Sequence, residues 1–198
     1  MGGKPLWLRR GRLYLALLAM GYVVGVAVFP THTDAKEKAD VERAPEITMK
    51  RLDGKNARLS DYRGKWVFLN FWATWCPPCL QEMPEMELFH KQFKSKMEMV
   101  AISVDKDDPA KIAAFVKDHG YTFEVFMDGD GESLSKFGES SIPVTYIINP
   151  SGDVVSRANG PRTWTDPVIV DYINNLMKTD GKGKTPHTAG FTPTKPTG

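Results

Sequence analysis

The segment "NFWATWCPPCLQEMPEM", residues 70–86, holds the chain's two cysteines, Cys76 and Cys79, three positions apart. It follows an apolar run and leads into a stretch of helical character. Two thiols at that spacing suit three chemistries: dithiol–disulfide exchange, metal ligation, or a small structural disulfide. Exchange needs a thiolate. A cysteine at a helix start meets the positive end of the dipole and N–H groups without intrahelical partners, which favours that form. Cys76 is therefore the candidate nucleophile. Cys79, one turn along on the same face and farther inside, is placed to attack a mixed disulfide and release the substrate. Pro77 and Pro78 stiffen the turn, and a proline in the first helical turn lacks an N–H that would have no partner there.

Both alternatives meet an obstacle. A structural zinc site takes four ligands, usually from two such pairs or from one pair and two closely spaced histidines. The chain has no second pair, and His32, His90, His119 and His187 do not have ligand spacing. A disulfide that closes so few residues removes little entropy from the unfolded chain. The redox reading is preferred, and the other two stay open beside it.

The elements around the pair follow from periodicity. "WVFLNFW" (66–72) and "MEMVAISV" (97–104) are continuous apolar runs that suit strands buried on both faces. "DPAKIAAFVKDHG" (108–120) reads as a helix, with proline at its start, glycine at its end, and Ile112, Phe115, Val116 and His119 on one side. "TFEVFMD" (122–128) is a short strand and "GESLSKFG" (131–138) a short helix. "VTYIIN" (144–149) and "DVVSRANG" (153–160) form a hairpin around Pro-Ser-Gly. "WTDPVIVDYINNLMK" (164–178) is a closing helix, with Val168, Tyr172 and Leu176 at helical spacing. Upstream, residues 46–64 hold two short strands around Asp53-Gly54, a hairpin turn signal. Strands alternating with helices predict an α/β sheet with antiparallel hairpins at its ends, its active edge at the carboxyl ends of the parallel strands.

The two ends have other characters. Residues 13–29, "LYLALLAMGYVVGVAVF", carry no charge and follow a basic flank, 1–12, with Lys4, Arg9, Arg10 and Arg12. About 25 Å of helix over this run reaches the short end of what spans a bilayer, and the flank predicts a cytoplasmic N-terminus with the rest exported. A cleaved signal peptide is the competing reading, although the small-x-small site, Gly25-Val26-Ala27, lies inside the apolar run. Residues 30–44 read as a linker, 45–179 as one folded domain, and 180–198 as a tail too poor in apolar residues to order itself. The first 33 residues hold four of the 26 basic residues and none of the 24 acidic ones. The remainder of the chain therefore sets 22 basic against 24 acidic residues, a net charge of −2, and gives no electrostatic footprint for nucleic acid.

"FWATWCPPC" resembles the thioredoxin active-site segment. Pro84, five residues past Cys79, matches that fold's helix-kinking proline, and Ile142-Pro143 before a strand resembles its cis-proline loop. More narrowly, the anchor, the block "RLDGKNARLSDYRGKWVFLNFWATWCPPCLQEMPEM" and the long run before Pro143 resemble the membrane-anchored TlpA/ResA-like thiol–disulfide oxidoreductases. The resemblance implies a thioredoxin-like α/β fold with an N-terminal β-hairpin extension and an extra helix–strand insert before the cis-proline loop. It implies a redox-active Cys76–Cys79 disulfide and no other cofactor. Trp75, Pro77, Pro78, Ile142 and Pro143 would form the docking surface. Expected partners are exported protein disulfides or dithiols, apocytochrome c among them, and a transmembrane thiol electron donor, with the catalytic domain on the extracytoplasmic side.

Two positions refine the expectation. Thioredoxin has a buried aspartate six residues before its first cysteine, where this chain has Asn70, and an amide cannot shuttle a proton. The TlpA/ResA-like branch uses a glutamate three residues past the second cysteine, and Glu82 stands there. Spacing alone leaves Glu82 evenly between a solvated helix residue, like Gln81 and Glu85, and a partner of Cys79; the resemblance implies the proton role. "SIPVTYIIN" lacks the Gly-x-Pro-Glu-Thr segment of the dedicated cytochrome c maturation branch. Ala73 stands where peroxiredoxins place a threonine, which argues against peroxidase chemistry. Trp72, Met83, Met86, Met97 and Met99 read as core. "DKDD" (105–108) and "DGDGES" (128–133) lack the calcium-loop pattern and read as solvated loops, with Ser133 as a helix cap.

Overall fold

The structure, a computed structural model, describes residues 42–180. Seven strands form one sheet: β1 (Thr48–Arg51), β2 (Asn56–Arg58), β3 (Trp66–Trp72), β4 (Met97–Ser103), β5 (Glu124–Met127), β6 (Val144–Ile148) and β7 (Val154–Asn159). Four helices connect them: α1 (Pro77–Phe93), α2 (Pro109–Asp118), α3 (Glu132–Lys136) and α4 (Pro167–Lys178). The strand order is β2-β1-β5-β4-β3-β6-β7. β3, β4 and β5 run parallel, and every other pairing is antiparallel. The anticipated N-terminal hairpin is β1–β2, with Gly54 at φ +86° in its turn, a conformation that glycine adopts without steric cost. The expected insert is present too, since α2 and β5 intervene between β4 and the loop at Pro143.

β3 occupies the middle of the sheet and is buried along its whole length. Because side chains alternate across a strand, Trp66, Phe68 and Trp72 enter one core with Met83, Met86 and Phe89 of α1, Ile112 of α2 and Ile173 of α4. Val67, Leu69 and Phe71 enter the core on the other face, where Leu134 and Phe137 pack. Asn70 belongs by the same alternation to the α1 face and is fully buried there.

Three elements differ from the sequence reading. Residues 42–44, given to the linker, join the sheet edge: Val154 N–H donates to Glu42 O, Ala44 N–H donates to Gly152 O, and Ala44 is buried. α4 begins at Pro167, with Asp166 as its N-cap, so Trp164 and Thr165 precede it. Its buried stripe is Ile169, Ile173 and Leu176, whereas Val168 is 67% exposed. The two acidic loops are not simply solvated. Asp105 and Asp128 are buried, and Asp128 accepts from the N–H groups of Ser133 and Leu134, so the carboxylate rather than Ser133 caps α3. The proposed anchor at 13–29 and the tail from 181 onward lie outside the described residues; among the described ones, no helix is long and apolar enough to cross a membrane.

Candidate active site

The cysteines sit where the alternation of strand and helix puts them, immediately past the carboxyl end of β3. Cys76 is the N-cap of α1 in extended conformation, with Pro77 and Pro78 opening the helix. Cys76 and Cys79 form a disulfide with Cα atoms 5.3 Å apart, and the Cys79 N–H donates to Cys76 Sγ at 3.3 Å. Leu80 N–H donates to Cys76 O. The sulfur of Cys76 thus lies among the unpaired N–H groups of the helix start, the environment that stabilises a thiolate once the disulfide opens. Cys79 is completely buried and Cys76 nearly so. Pro84 lies inside α1 on its exposed side.

The residues expected to form a docking surface lie in the segments beside this sulfur. Trp75 is 64% exposed, an unusual placement for so large an apolar side chain beside a reactive group. The Ile142-Pro143 bond is cis, and Ile142 O lies 3.9 Å from Cys76 Sγ. Pairing of β6 with β3 begins only at Val144, so the Ile142 backbone stands outside the ladder, beside the disulfide. Pro77 is exposed, Pro78 and Ile142 are half-buried, and Pro143 is buried.

Glu82 is not a solvated helix residue. It is 1% exposed, one helical turn past Cys79. Its Oε1 accepts from Asn70 Nδ2 at 3.0 Å. Its Oε2 accepts from the Arg162 backbone N–H and from Trp164 Nε1, each at 3.1 Å. Burial pushes the carboxyl up from 4.5 to about 7, while the hydrogen bonds from Trp164, Asn70 and Arg162 and the Arg162 charge hold it from rising further. A group that titrates near neutrality in a water-poor site can take up and release a proton at physiological pH. Glu85, read as solvated, is also engaged, with the N–H and hydroxyl of Thr165 both donating to it. Gln81 is exposed, as its place on the helix suggests.

Several residues around the site gave no sequence signal. Trp164, in the loop "GPRTWTDP", is buried and reaches Glu82 across 82 positions of sequence. Thr145 Oγ1 accepts the second hydrogen of the Asn70 amide at 2.9 Å. Asp105 is fully buried past the end of β4; Thr74 N–H and Oγ1 donate to it at 3.0 and 2.6 Å, and Ser103 Oγ donates at 2.6 Å. It thereby ties the turn before Trp75 and Cys76 to the neighbouring strand. A hydrophobicity pattern cannot reveal a polar contact between segments remote in sequence. No group of three or more metal-ligating side chains occurs among the described residues.

A paired-cysteine helix start facing a cis-proline loop, on a central parallel strand of a mixed sheet, defines the thioredoxin-like class of dithiol–disulfide proteins. Residues 41–157 match the AhpC/TSA family. The chain is 39% identical to the thiol-disulfide oxidoreductase ResA of Bacillus subtilis (strain 168), over 91% of this chain and 98% of that protein. It is 36% identical to ResA of Geobacillus thermodenitrificans (strain NG80-2), over 78% and 87% of the two chains. Among solved structures, a Chlorobium tepidum protein assigned as the thiol:disulfide interchange protein DsbE is 26% identical with a TM-score of 0.63, covering 69% of this chain and 96% of that one. The chain belongs to the AhpC/TSA family of thioredoxin-like proteins, in its ResA-like branch, and is a thiol–disulfide oxidoreductase.

Proposed function

We propose that this oxidoreductase reduces disulfides of exported proteins through the Cys76–Cys79 dithiol, with Glu82 as the proton acceptor for Cys79. In the reduced protein the Cys76 thiolate attacks one sulfur of a substrate disulfide; an S–S bond forms to the substrate, and the other substrate sulfur leaves as a thiolate that takes a proton. The Cys79 thiol then loses its proton to the Glu82 carboxylate and attacks Cys76 Sγ. The Cys76–Cys79 bond forms, and the second substrate sulfur leaves as a thiolate that is protonated as Glu82 gives up the proton it took from Cys79. Two electrons pass to the substrate, and the protein is left as the disulfide. Trp75 and the Ile142-Pro143 backbone receive the substrate chain beside Cys76. The exchange runs on the two sulfurs without a further cofactor.

The observation that carries this reading is the buried Glu82 carboxyl, titrating near 7 one turn from the buried Cys79. A buried thiol needs an internal acceptor, because water does not reach it to remove the proton. The extracytoplasmic placement is supported by the uncharged segment 13–29 behind its basic flank, which would anchor the domain outside the cytoplasm. Reductive direction, apocytochrome c as one substrate and a transmembrane thiol donor rest on resemblance to the ResA-like branch. The reduction potential tests the direction, read by thiol alkylation across a glutathione or dithiothreitol series. A value near −270 mV, about that of thioredoxin, supports a reductase, and one near about −120 mV makes the protein a disulfide donor using the same residues.

A further inference from the structure

Glu82 meets different neighbours at its two oxygens. Oε2 faces two N–H groups, the Arg162 amide and the Trp164 indole, and neither can accept a hydrogen bond. A proton on Oε2 would therefore point at donors. Oε1 faces only the Asn70 amide. Asn70 gives both of its hydrogens away, to Glu82 and to Thr145 Oγ1, and its buried Oδ1 has no partner among the described residues. Turning that amide over presents Oδ1 to both neighbours. It then accepts a proton carried by Oε1 and the hydroxyl of Thr145, which can donate as well as accept. The protonated carboxyl thus has an acceptor on the Oε1 side alone.

We propose that Trp164 is a positioning residue whose indole N–H, with the Arg162 amide, holds Oε2 so that Glu82 carries its transferable proton on Oε1. The proposal rests on the reading of Glu82 as the proton acceptor for Cys79. Trp164 is 3% exposed, and its ring packs edge-on against Phe68, centroids 4.7 Å apart, and against Phe89 at 6.2 Å. Phe68 lies on β3 two residues before Asn70, and Phe89 lies on α1 two turns past Glu82. The indole is therefore fixed by the same two elements that carry the carboxyl and the amide. Donor-only contacts favour the charged form, so Trp164 also lowers the pH at which the carboxyl ionises. Other charged or titratable groups nearby are the Arg162 side chain, Glu85 on α1, and Arg157 and Tyr172, which line the cavity beside Trp164 and Thr145; Cys79, held in the disulfide, does not titrate in the oxidised protein.

The test is a titration of the oxidised protein labelled with carbon-13 at the glutamate carboxyls, with Glu82→Gln assigning the resonance. Trp164→Phe keeps an aromatic ring and deletes the donor. The Glu82 midpoint is expected to rise by about one pH unit, a tenfold change in its acid constant. Were Trp164→Phe not to fold, the indole N–H resonance of Trp164 in the unsubstituted protein supplies the second reading and is expected to move with pH at the Glu82 midpoint. A midpoint unmoved in Trp164→Phe, or an indole signal constant from pH 5 to 9, overturns the assignment. These titrations are read without turnover. They are thus separate from the pH profile of exchange in Glu82→Gln, whose failure to flatten would remove the proton-acceptor reading instead.

Discussion

Replacing Glu82 with glutamine is expected to favour the folded, oxidised protein more at high pH than at low. A carboxyl that titrates near 4.5 in the unfolded chain and near 7 in the native state binds its proton more tightly when folded. Its contribution is fully present below the unfolded value and is lost as pH rises through about 7, where the native state must hold a buried charge. Over that window the loss amounts to about 3 kcal/mol. Glutamine is uncharged at every pH. Its carbonyl oxygen takes the place of Oε2 between the Arg162 and Trp164 N–H groups, and its amide donates to Asn70 Oδ1 once that amide turns over. The turned Asn70 amide leaves its own hydrogens where Oδ1 now stands without a partner, and the second hydrogen of the glutamine amide finds no further acceptor among the contacts of Oε1; both costs are the same at every pH. The difference in unfolding free energy between Glu82→Gln and the parent should therefore grow by about 2.5 kcal/mol between pH 5 and pH 8.5. Guanidinium titrations at those two pH values, without reductant, measure it. A difference equal at both would mean that the native carboxyl titrates like an exposed one, and the argument from burial would be refuted.

Three further outcomes rest on contacts at the same edge of the sheet. Asp105→Ala leaves the Thr74 and Ser103 donors without their acceptor and should cost about 2–4 kcal/mol in denaturant unfolding, with faster amide hydrogen exchange at Trp75 and Cys76. Gly129→Ala brings a Cβ to 2.9 Å from the Asp105 carbonyl oxygen, so the loop must shift; a loss of about 1–3 kcal/mol in the same assay is expected. Trp75→Ala removes an exposed ring and should leave stability within about 0.5 kcal/mol, while raising KM for a protein disulfide far more than for a small-molecule disulfide. Equal effects on both substrates would count against Trp75 as a docking residue.

Whether a feature could be read from sequence depended on whether one short segment specifies it. β3 could be read to the residue, because seven apolar or buried positions in a row admit little else than a strand covered on both faces. The N-cap position of Cys76 was legible for the same reason, since a strand end, a turn and two prolines fix where the helix starts. The stripe of α4 was not. Residues 168–170, 172, 173, 176 and 177 are all apolar or aromatic, a band too wide to show which edge faces the sheet, and the Asp166 cap shifts the helix start past Trp164. The acidic loops misled in another way. A run of charges reads as solvated on average, yet each loop turns one carboxylate inward because the strand end or helix start beside it leaves N–H groups that need an acceptor.

Glu82 was only half legible, and the missing half is physical. Spacing says that residues 79 and 82 share a helix face; it cannot say whether that face is wet. The answer comes from Asn70 below and from the 160–165 segment above, which close over the carboxyl from positions 12 to 82 residues away. Carrying the carboxyl on α1 also changes what fixes its relation to the thiol. An acid on β3 would depend on how the helix packs over the strand, whereas Cys79 and Glu82 are set by three residues of one helix. Asn70, on the strand, is then free to serve as a donor that reports the charge of Glu82. A substrate that moves α1 slightly against the sheet would leave the thiol and its acceptor in register and disturb the contacts to Asn70 instead. On the proton-acceptor reading, such a movement would alter the proton affinity of Glu82 and not its place on the helix relative to Cys79.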